Sequence, residues 1–247
     1  FLHLCHYAPH RPLSAPADLI QHFQDKGLDE NVATVYAMIE VMDRGVGQLL
    51  DELDTLGLSQ NTIVIFTSDN GPDPLVGERF NLESRGTKYM VNEGGIRVPF
   101  FLQWKGTLAP TEHSELIHFT DVVPTLSEIC GLEEPPNQLP LDGVSFAGLL
   151  SENFSPPEFP RHRFWQWNRK EPLYSHNAAI REGDWKLVRP FVTKNFPKGE
   201  SKLEPRLYDL STDPGEKKDL APENPDLRDR LNSTLNRWSE TVESDRT

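Results

Sequence analysis

The stretch NVATVYAMIEVMDRGVGQLLDELDTLGLSQNTIVIFTSDNG, residues 31–71, sets the fold class of this chain. Val32, Val35, Ile39, Met42, Val46, Leu49, Leu53 and Leu56 recur at spacings of three and four, the stripe of an amphipathic helix. Gly57 stands where a left-handed C-cap is expected. Residues 62–67 then form a continuous apolar run, the pattern of a parallel strand covered on both faces. Residues 1–7 read as an earlier strand, which makes the long helix a βαβ crossover.

Downstream, Ser68-Asp69-Asn70-Gly71 closes the strand. Residues 71–95 have few periodic apolar positions, and a loop this long in a compact domain is usually functional. A strand is expected over 98–104 and a helix over 119–130, stopped by Gly131. The Pro-rich, aperiodic stretch 133–160 holds the expected boundary, dividing the chain into units 1–155 and 156–247. In the second unit, residues 178–181 and 185–188 flank Gly183-Asp184 as an antiparallel hairpin. A short strand at 207–210 and a terminal helix over 224–243 follow, the latter with Leu227, Leu231, Leu235 and Trp238 as its stripe. The expected architecture is a mostly parallel α/β sheet flanked by helices, then a small antiparallel sheet with a terminal helix.

The chain has 247 residues, 36% hydrophobic and 26% charged, an ordinary globular composition with room for a sizeable core. Its formal net charge of −13 opposes nucleic-acid binding. An anionic substrate is still compatible with it, because a local cation can reverse the field inside a pocket. No apolar run reaches the ~20 residues of a membrane span. The chain starts Phe1-Leu2-His3 without a signal-peptide pattern, so any signal sequence is expected upstream. The two cysteines, Cys5 and Cys130, are too few for a disulfide framework and read as buried free thiols, with their pairing left open.

Several residues could carry chemistry. Asp69 and Asn70 offer a carboxylate and a carboxamide oxygen, a donor pair suited to a hard cation; an Asx turn closing the strand explains the same residues equally well. Lys88, on the loop, is by itself an ordinary solvated ammonium. His10 lies between Pro9 and Pro12 and could be a plain loop residue, or an acid that titrates near neutrality. Asp43 reads first as an ion-pairing residue or one hydrogen-bonded to a loop, and second as a catalytic one. Gly45 and Gly47 read as points where the helix approaches the sheet. His3 and His6 are read as structural. Phe164-Trp165-Gln166-Trp167-Asn168 and His176-Asn177 read first as packing between the two units and second as a sugar-contacting cluster. Asn153-Phe154-Ser155 and Asn232-Ser233-Thr234 match glycosylation sequons, a pattern that arises often by chance.

Six pieces in order give a more specific reading. Ala8-Pro9-His10-Arg11-Pro12, Ser68-Asp69-Asn70-Gly71, Arg85-Gly86-Thr87-Lys88 with Glu93-Gly94-Gly95-Ile96-Arg97-Val98-Pro99, Asp121-Val122-Val123-Pro124-Thr125-Leu126, Asp142-Gly143-Val144-Ser145 and the stretch from Ala179 to Val188 span nearly the whole chain. Together they resemble the type I sulfatases of the alkaline phosphatase superfamily. The resemblance implies hydrolysis of aryl or carbohydrate sulfate esters. It assigns one calcium ion to Asp69 and Asn70, sulfate contact to Lys88, and sulfate contact with help to the leaving oxygen to His10. Arg85 and Arg97 are expected to fix loops, and Glu93 with its glycines to shape the backbone.

The same resemblance implies a formylglycine nucleophile made from a C/S-x-P/A-x-R element by a formylglycine-generating enzyme. Neither Cys5 nor Cys130 stands in such a frame, and the acidic partners of Asp69 and Asn70 have no match before His10. The expectation is a fragment with the nucleophile upstream, inactive alone, binding calcium weakly, with an open sheet edge or apolar face. Periplasmic, secreted or lysosomal location fits the family. The rivals are a phosphodiesterase or phosphonate hydrolase of the same superfamily and a non-catalytic sulfated-glycan-binding homologue.

Overall fold

A computed structural model describes residues 1–77, 79, 81–132, 140–150, 158–168, 174–191 and 203–246. Helix α1 spans Ala17–Gln24 and α2 spans Glu30–Thr55. Asp29 caps α2, its carboxylate accepting from the Val32 N–H at 3.1 Å. At the other end Gly57 turns left-handed (φ 69°), so that the Gly57 and Leu58 N–H groups donate to the Asp54 and Leu53 carbonyls. Only the first half of α2 is deeply buried, through Val32, Ala33, Val35, Ala37 and Met38, and it packs on α1. Ile39 and Leu56 of the expected apolar stripe are exposed.

Strand β1, Ile63–Thr67, pairs with β2, Phe100–Trp104, in register Ile63↔Trp104 to Thr67↔Phe100. The pairing is antiparallel, and here the sequence expectation needs correction. Residues 1–7 lie largely exposed outside any strand, so among the described residues α2 does not connect two parallel strands. A strand needs a neighbour to satisfy its N–H and C=O groups, and the neighbour β1 finds is the strand that follows it. Other details differ as well. A Cβ built on Gly45 or Gly47 meets nothing within 4 Å, so neither glycine serves a close approach. Asp43 is exposed and makes no hydrogen bond or ion pair among the described residues. Both cysteines are free and exposed rather than buried: Cys5 lies in the N-terminal segment, with its Sγ 3.4 Å from His3 Nε2, and Cys130 caps the C-terminal end of the helix Val122–Ile129. His3 and His6 are exposed too.

Between β1 and β2 the described residues form a 3-10 turn, Pro74–Val76, and a short α-helix, α3, Glu93–Ile96. Helix α4, Val122–Ile129, follows β2 where the pattern placed it. Phe101, Phe119, Val123 and Leu132 are exposed in this half. The expected boundary near residue 155 lies outside the described residues.

The second half is a four-stranded antiparallel sheet in the order β3-β4-β5-β6, formed by Arg163–Gln166, Ala178–Glu182, Trp185–Arg189 and Arg206–Asp209. The β4–β5 hairpin turns on Gly183-Asp184 as read from the sequence, with Glu182 opposite Trp185. Successive strand residues face opposite sides, and here both sides are covered. On one side Ala178, Ile180, Leu187 and Leu207 pack against Leu231 and Leu235 of α5, Pro225–Arg246, while Phe164 stacks on Trp238 with centroids 4.9 Å apart. The other side carries Ala179, Val188 and Tyr208, with Trp165 and Trp167, and Val91 from the long loop packs onto it. The sheet therefore stands between its terminal helix and the loop that bears Lys88.

Candidate active site

The turn after β1 and the Lys88 loop are stitched together by backbone hydrogen bonds. The Gly71 N–H donates to the Gly95 carbonyl at 2.9 Å, the Lys88 N–H to the Pro72 carbonyl at 2.8 Å, and the Gly94 N–H to the Arg85 carbonyl at 2.7 Å. These approaches leave no room for side chains. A Cβ on Gly71 would lie 1.8 Å from the Gly94 oxygen, one on Gly94 2.3 Å from the Gly86 oxygen, and one on Gly95 2.0 Å from the Met90 oxygen. The glycines of the Ser68-Asp69-Asn70-Gly71 and Glu93-Gly94-Gly95 pieces are thus required by packing of main chain on main chain. Ser68 Oγ donates to the Asn70 carbonyl at 3.1 Å and Asn70 Nδ2 to the Gly71 carbonyl at 2.8 Å, which closes the turn.

The residue after His10 ties the N-terminal segment to the same turn. Arg11 Nε donates to Asp73 Oδ2 at 2.9 Å, three residues beyond Asn70. His10 Nδ1 lies 2.7 Å from the Arg11 carbonyl, which can only accept. Nδ1 therefore carries a proton, and Nε2 is the ring nitrogen left for a second partner. The Tyr7 ring meets the imidazole edge-on at 5.6 Å.

The segments that bear His10, Asp69-Asn70 and Lys88 thus meet at residues 69–73, through Arg11 on Asp73 and the Lys88 N–H on Pro72. No hydrogen bond or ion pair joins their side chains among the described residues. Asp69 is exposed and Asn70 half-buried, and neither the Asp69 carboxylate nor Asn70 Oδ1 has a hydrogen-bond partner among the described residues. Lys88 is half-buried with no carboxylate partner there; its ammonium sits 5.5 Å from the Tyr89 ring centroid. No group of three or more His, Cys, Asp or Glu that could hold a metal ion occurs among the described residues. A free carboxylate and a free carboxamide oxygen suit calcium but supply a minority of its six to eight ligands.

The groups that hold this loop in place come from the C-terminal sheet, and sequence reasoning gave them other roles. Asn177, fully buried, donates through Nδ2 to the Tyr89 carbonyl at 2.7 Å and the Trp167 carbonyl at 2.7 Å, and accepts from the Val91 N–H at 3.2 Å. Lys186, also fully buried, lies 2.7 Å from Glu93 Oε1 and 3.0 Å from Glu216 Oε1. Glu216 Oε2 accepts from the Glu93 N–H at 2.8 Å. Burial alone would raise the Glu93 pKa; the charge and hydrogen bond of Lys186, with Arg181 and Arg97 nearby, reverse that and hold it below the ordinary value. Arg85 fixes the loop, as expected, but by donating to the Glu216 carbonyl at 3.2 Å rather than through an ion pair. One signal for Lys186 was available: it shares a strand face with buried Val188, a slot in which a lysine needs a buried counter-charge.

Other motif pieces resolve into scaffolding. Asp121 accepts from Arg163 Nη2 at 2.6 Å and from the Val144 N–H at 2.9 Å, and Thr125 Oγ1 accepts from the Phe146 N–H at 2.9 Å. The Asp121–Leu126 and Asp142–Ser145 pieces are two sides of one joint, with β3 as the third. Burial, with Arg163 close by, lowers the pKa of His118 at that joint. The aromatic stretch is strand β3 and packing, with the Tyr89 ring 5.0 Å from Trp167. His176 and Asn177 are buried, and Asn177 has its carboxamide committed. In the second sequon Asn232 Oδ1 accepts from Arg189 Nε at 3.1 Å and Nη2 at 2.7 Å. The first sequon lies outside the described residues.

Residues 1–132 match the family model described as Sulfatase, and residues 86–241 match that described as N-sulphoglucosamine sulphohydrolase, C-terminal. The chain belongs to the sulfatase family. Among curated sulfatases, the N-acetylgalactosamine-6-O-sulfatase of Bacteroides thetaiotaomicron is 31% identical over 213 residues, 78% of this chain and 39% of that protein. Human arylsulfatase A is 31% identical over 198 residues, 72% of this chain and 37% of that protein. The structure of Ps i-CgsB in complex with k-i-k-neocarrahexaose superposes with a TM-score of 0.76 at 27% identity, covering 94% of this chain and 48% of that one. The chain spans less than half the length of these relatives. Its fold is that of the alkaline-phosphatase-like α/β sulfatases, and no helix among the described residues is long and apolar enough to cross a membrane.

Proposed function

We propose that these residues form one wall of a sulfatase active site and that the whole protein hydrolyses sulfate esters. The observation that carries the reading is the convergence of the His10, Asp69-Asn70 and Lys88 segments on residues 69–73. The unpaired Lys88 ammonium stabilises the charge that grows on the sulfuryl oxygens during transfer. His10, as the imidazolium, keeps its Nδ1–H on the Arg11 carbonyl and gives its Nε2 proton to the departing alcohol oxygen, which leaves the ring neutral. Asp69 and Asn70 supply one carboxylate and one carboxamide oxygen to a calcium ion, which when bound offsets the negative charge of the sulfate. The formylglycine nucleophile and the remaining calcium ligands are assigned to sequence outside residues 1–247. This agrees with the relatives' greater length and makes a formylglycine-generating enzyme a required partner. By that division of the site the 247 residues alone are inactive. A glycan sulfate is the favoured substrate, because the relatives include an N-acetylgalactosamine-6-O-sulfatase and a neocarrahexaose complex. A periplasmic or secreted location fits such a substrate.

The test is expression of the whole protein with a formylglycine-generating enzyme, followed by assays on a chromogenic aryl sulfate and on sulfated sugars with calcium present. Release of sulfate is expected, abolished by chelation of calcium. Cleavage of phosphonate or phosphodiester substrates alone would move the protein to the related hydrolases. Saturable binding of sulfated glycan with no turnover of any ester would make it a binding protein.

A further inference from the structure

Left-handed backbone at non-glycine positions gathers in one neighbourhood among the described residues. Among the described residues, the non-glycine residues with positive φ are Leu82 (56°), Glu83 (60°), Tyr89 (81°), Asn177 (47°) and Glu216 (51°). The first three lie in the loop that bears Lys88. Asn177 and Glu216 lie in the other half of the chain, yet both bond that loop: Asn177 at Tyr89 and Val91, 88 and 86 residues away, and Glu216 at Glu93, 123 residues away. Left-handed backbone in a non-glycine residue is unfavourable and persists only where its surroundings over-determine it. Tyr89, the most displaced toward positive φ of the five, is the residue directly after Lys88.

The Asn177 carboxamide is the group best placed to enforce that conformation. Its orientation is fixed by its partners, since two carbonyls can only accept and one N–H can only donate. Nδ2 ties the Tyr89 carbonyl to the Trp167 carbonyl, and Oδ1 takes the Val91 N–H. One side chain thereby grips the main chain on both sides of Met90, while the Tyr89 ring rests against Trp167 at 5.0 Å. On the other side of Lys88 its own N–H is held by Pro72, next to the turn that carries Asp69 and Asn70. Asn177 is in turn immobile: it is fully buried, its carbonyl accepts from the Trp167 N–H at 3.0 Å, and it leads into the central strand β4. Lys88 thus stands between two fixed points, the Asp69-Asn70 turn and the C-terminal sheet.

We propose that Asn177 is a positioning residue for Lys88, setting the reach of its ammonium into the site by clamping the strained main chain at Tyr89–Val91. The inference rests on the reading of Lys88 as the sulfate-binding cation. Two variants of the whole protein test it. Asn177→Gly accepts the left-handed backbone without strain but has no carboxamide. Asn177→Asp keeps the shape and the acceptor for Val91 while losing both donors. Both are expected to unfold cooperatively, to show at least tenfold faster amide exchange at Tyr89–Val91, and to lose about 10- to 100-fold in kcat with little change in KM, as a displaced catalytic group does. Amide exchange at Tyr89–Val91 that matches the unsubstituted protein in Asn177→Gly overturns the proposal. So does faster exchange with unchanged kcat. If the unsubstituted protein hydrolyses no sulfate ester, the proposed function fails by itself; the exchange measurement then still decides whether Asn177 orders the loop.

Discussion

Polar side chains are treated in opposite ways by the two regions that meet at the Lys88 loop. Around residues 69–73, His10, Asp69 and Lys88 are exposed or half-buried and lack charged partners among the described residues. Across the loop, in the C-terminal sheet, Lys186, Glu93, Glu216 and Asn177 are buried and matched to one another or to the backbone. The groups proposed to meet a substrate are left with free hydrogen-bonding capacity, while those that hold the loop are matched within the protein. The difference explains why a residue such as Lys186 can matter to a site it never faces.

Removing Lys186 should break the comparison most severely. Lys186→Met would leave Glu93 and Glu216 buried without their cation, a loss of about 3–5 kcal/mol measured by denaturant unfolding. Lys88→Ala is expected to do the reverse. Unfolding should shift by less than about 0.5 kcal/mol, while turnover of a sulfate ester by the whole protein falls about 100- to 1,000-fold. Similar turnover in both proteins would remove Lys88 from the site. Gly94→Ala tests the main-chain packing between the regions, since its Cβ would lie 2.3 Å from the Gly86 oxygen. A destabilisation of about 1–3 kcal/mol is expected, together with a loss of turnover that Lys186→Met would share.

A smaller effect should come from Glu182, away from the loop. Arg230 donates to both its oxygens at 2.8 Å, and Arg161 and His162 add further contacts. The Arg230 hydrogen bonds, against the opposing effect of burial, hold this carboxyl well below the usual range. A depressed folded-state pKa contributes stability that is complete above the unfolded value of about 4.3 and is lost as pH falls through the folded one. Thermal melts should therefore drop on acidification below about pH 4, and Arg230→Ala should flatten that drop. The smallest expectation is a null one. Asn232 is engaged by Arg189, so peptide mass spectrometry after secretion from eukaryotic cells should find it unglycosylated.

The readable parts of the molecule were those in which sequence neighbours decide the structure. Helix α2, the β4–β5 hairpin and α5 follow from apolar period and from Gly57 and Gly183-Asp184. Residues 1–7 have the apolar content of a strand, but a strand exists only with a partner, and none among the described residues pairs with them. Strand β3, Arg163–Gln166, was read as an aromatic cluster because an edge strand of four residues is too short to show its alternation. The site divided along the same line. His10, Asp69, Asn70 and Lys88 could be picked out by motif. The roles of Asn177 and Lys186 depend on partners 88 and 93 residues away in sequence, which no local pattern encodes.

The layering of the C-terminal sheet, with α5 on one side and Val91 on the other, has a genetic consequence. A premature stop codon just before residue 225 would leave the codons for His10, Asp69, Asn70, Lys88 and Asn177 untouched. It would nevertheless strip Leu231 and Leu235 from beneath the sheet that grips the Lys88 loop. Truncations that remove α5 should therefore behave as null alleles, although these five side chains are still translated.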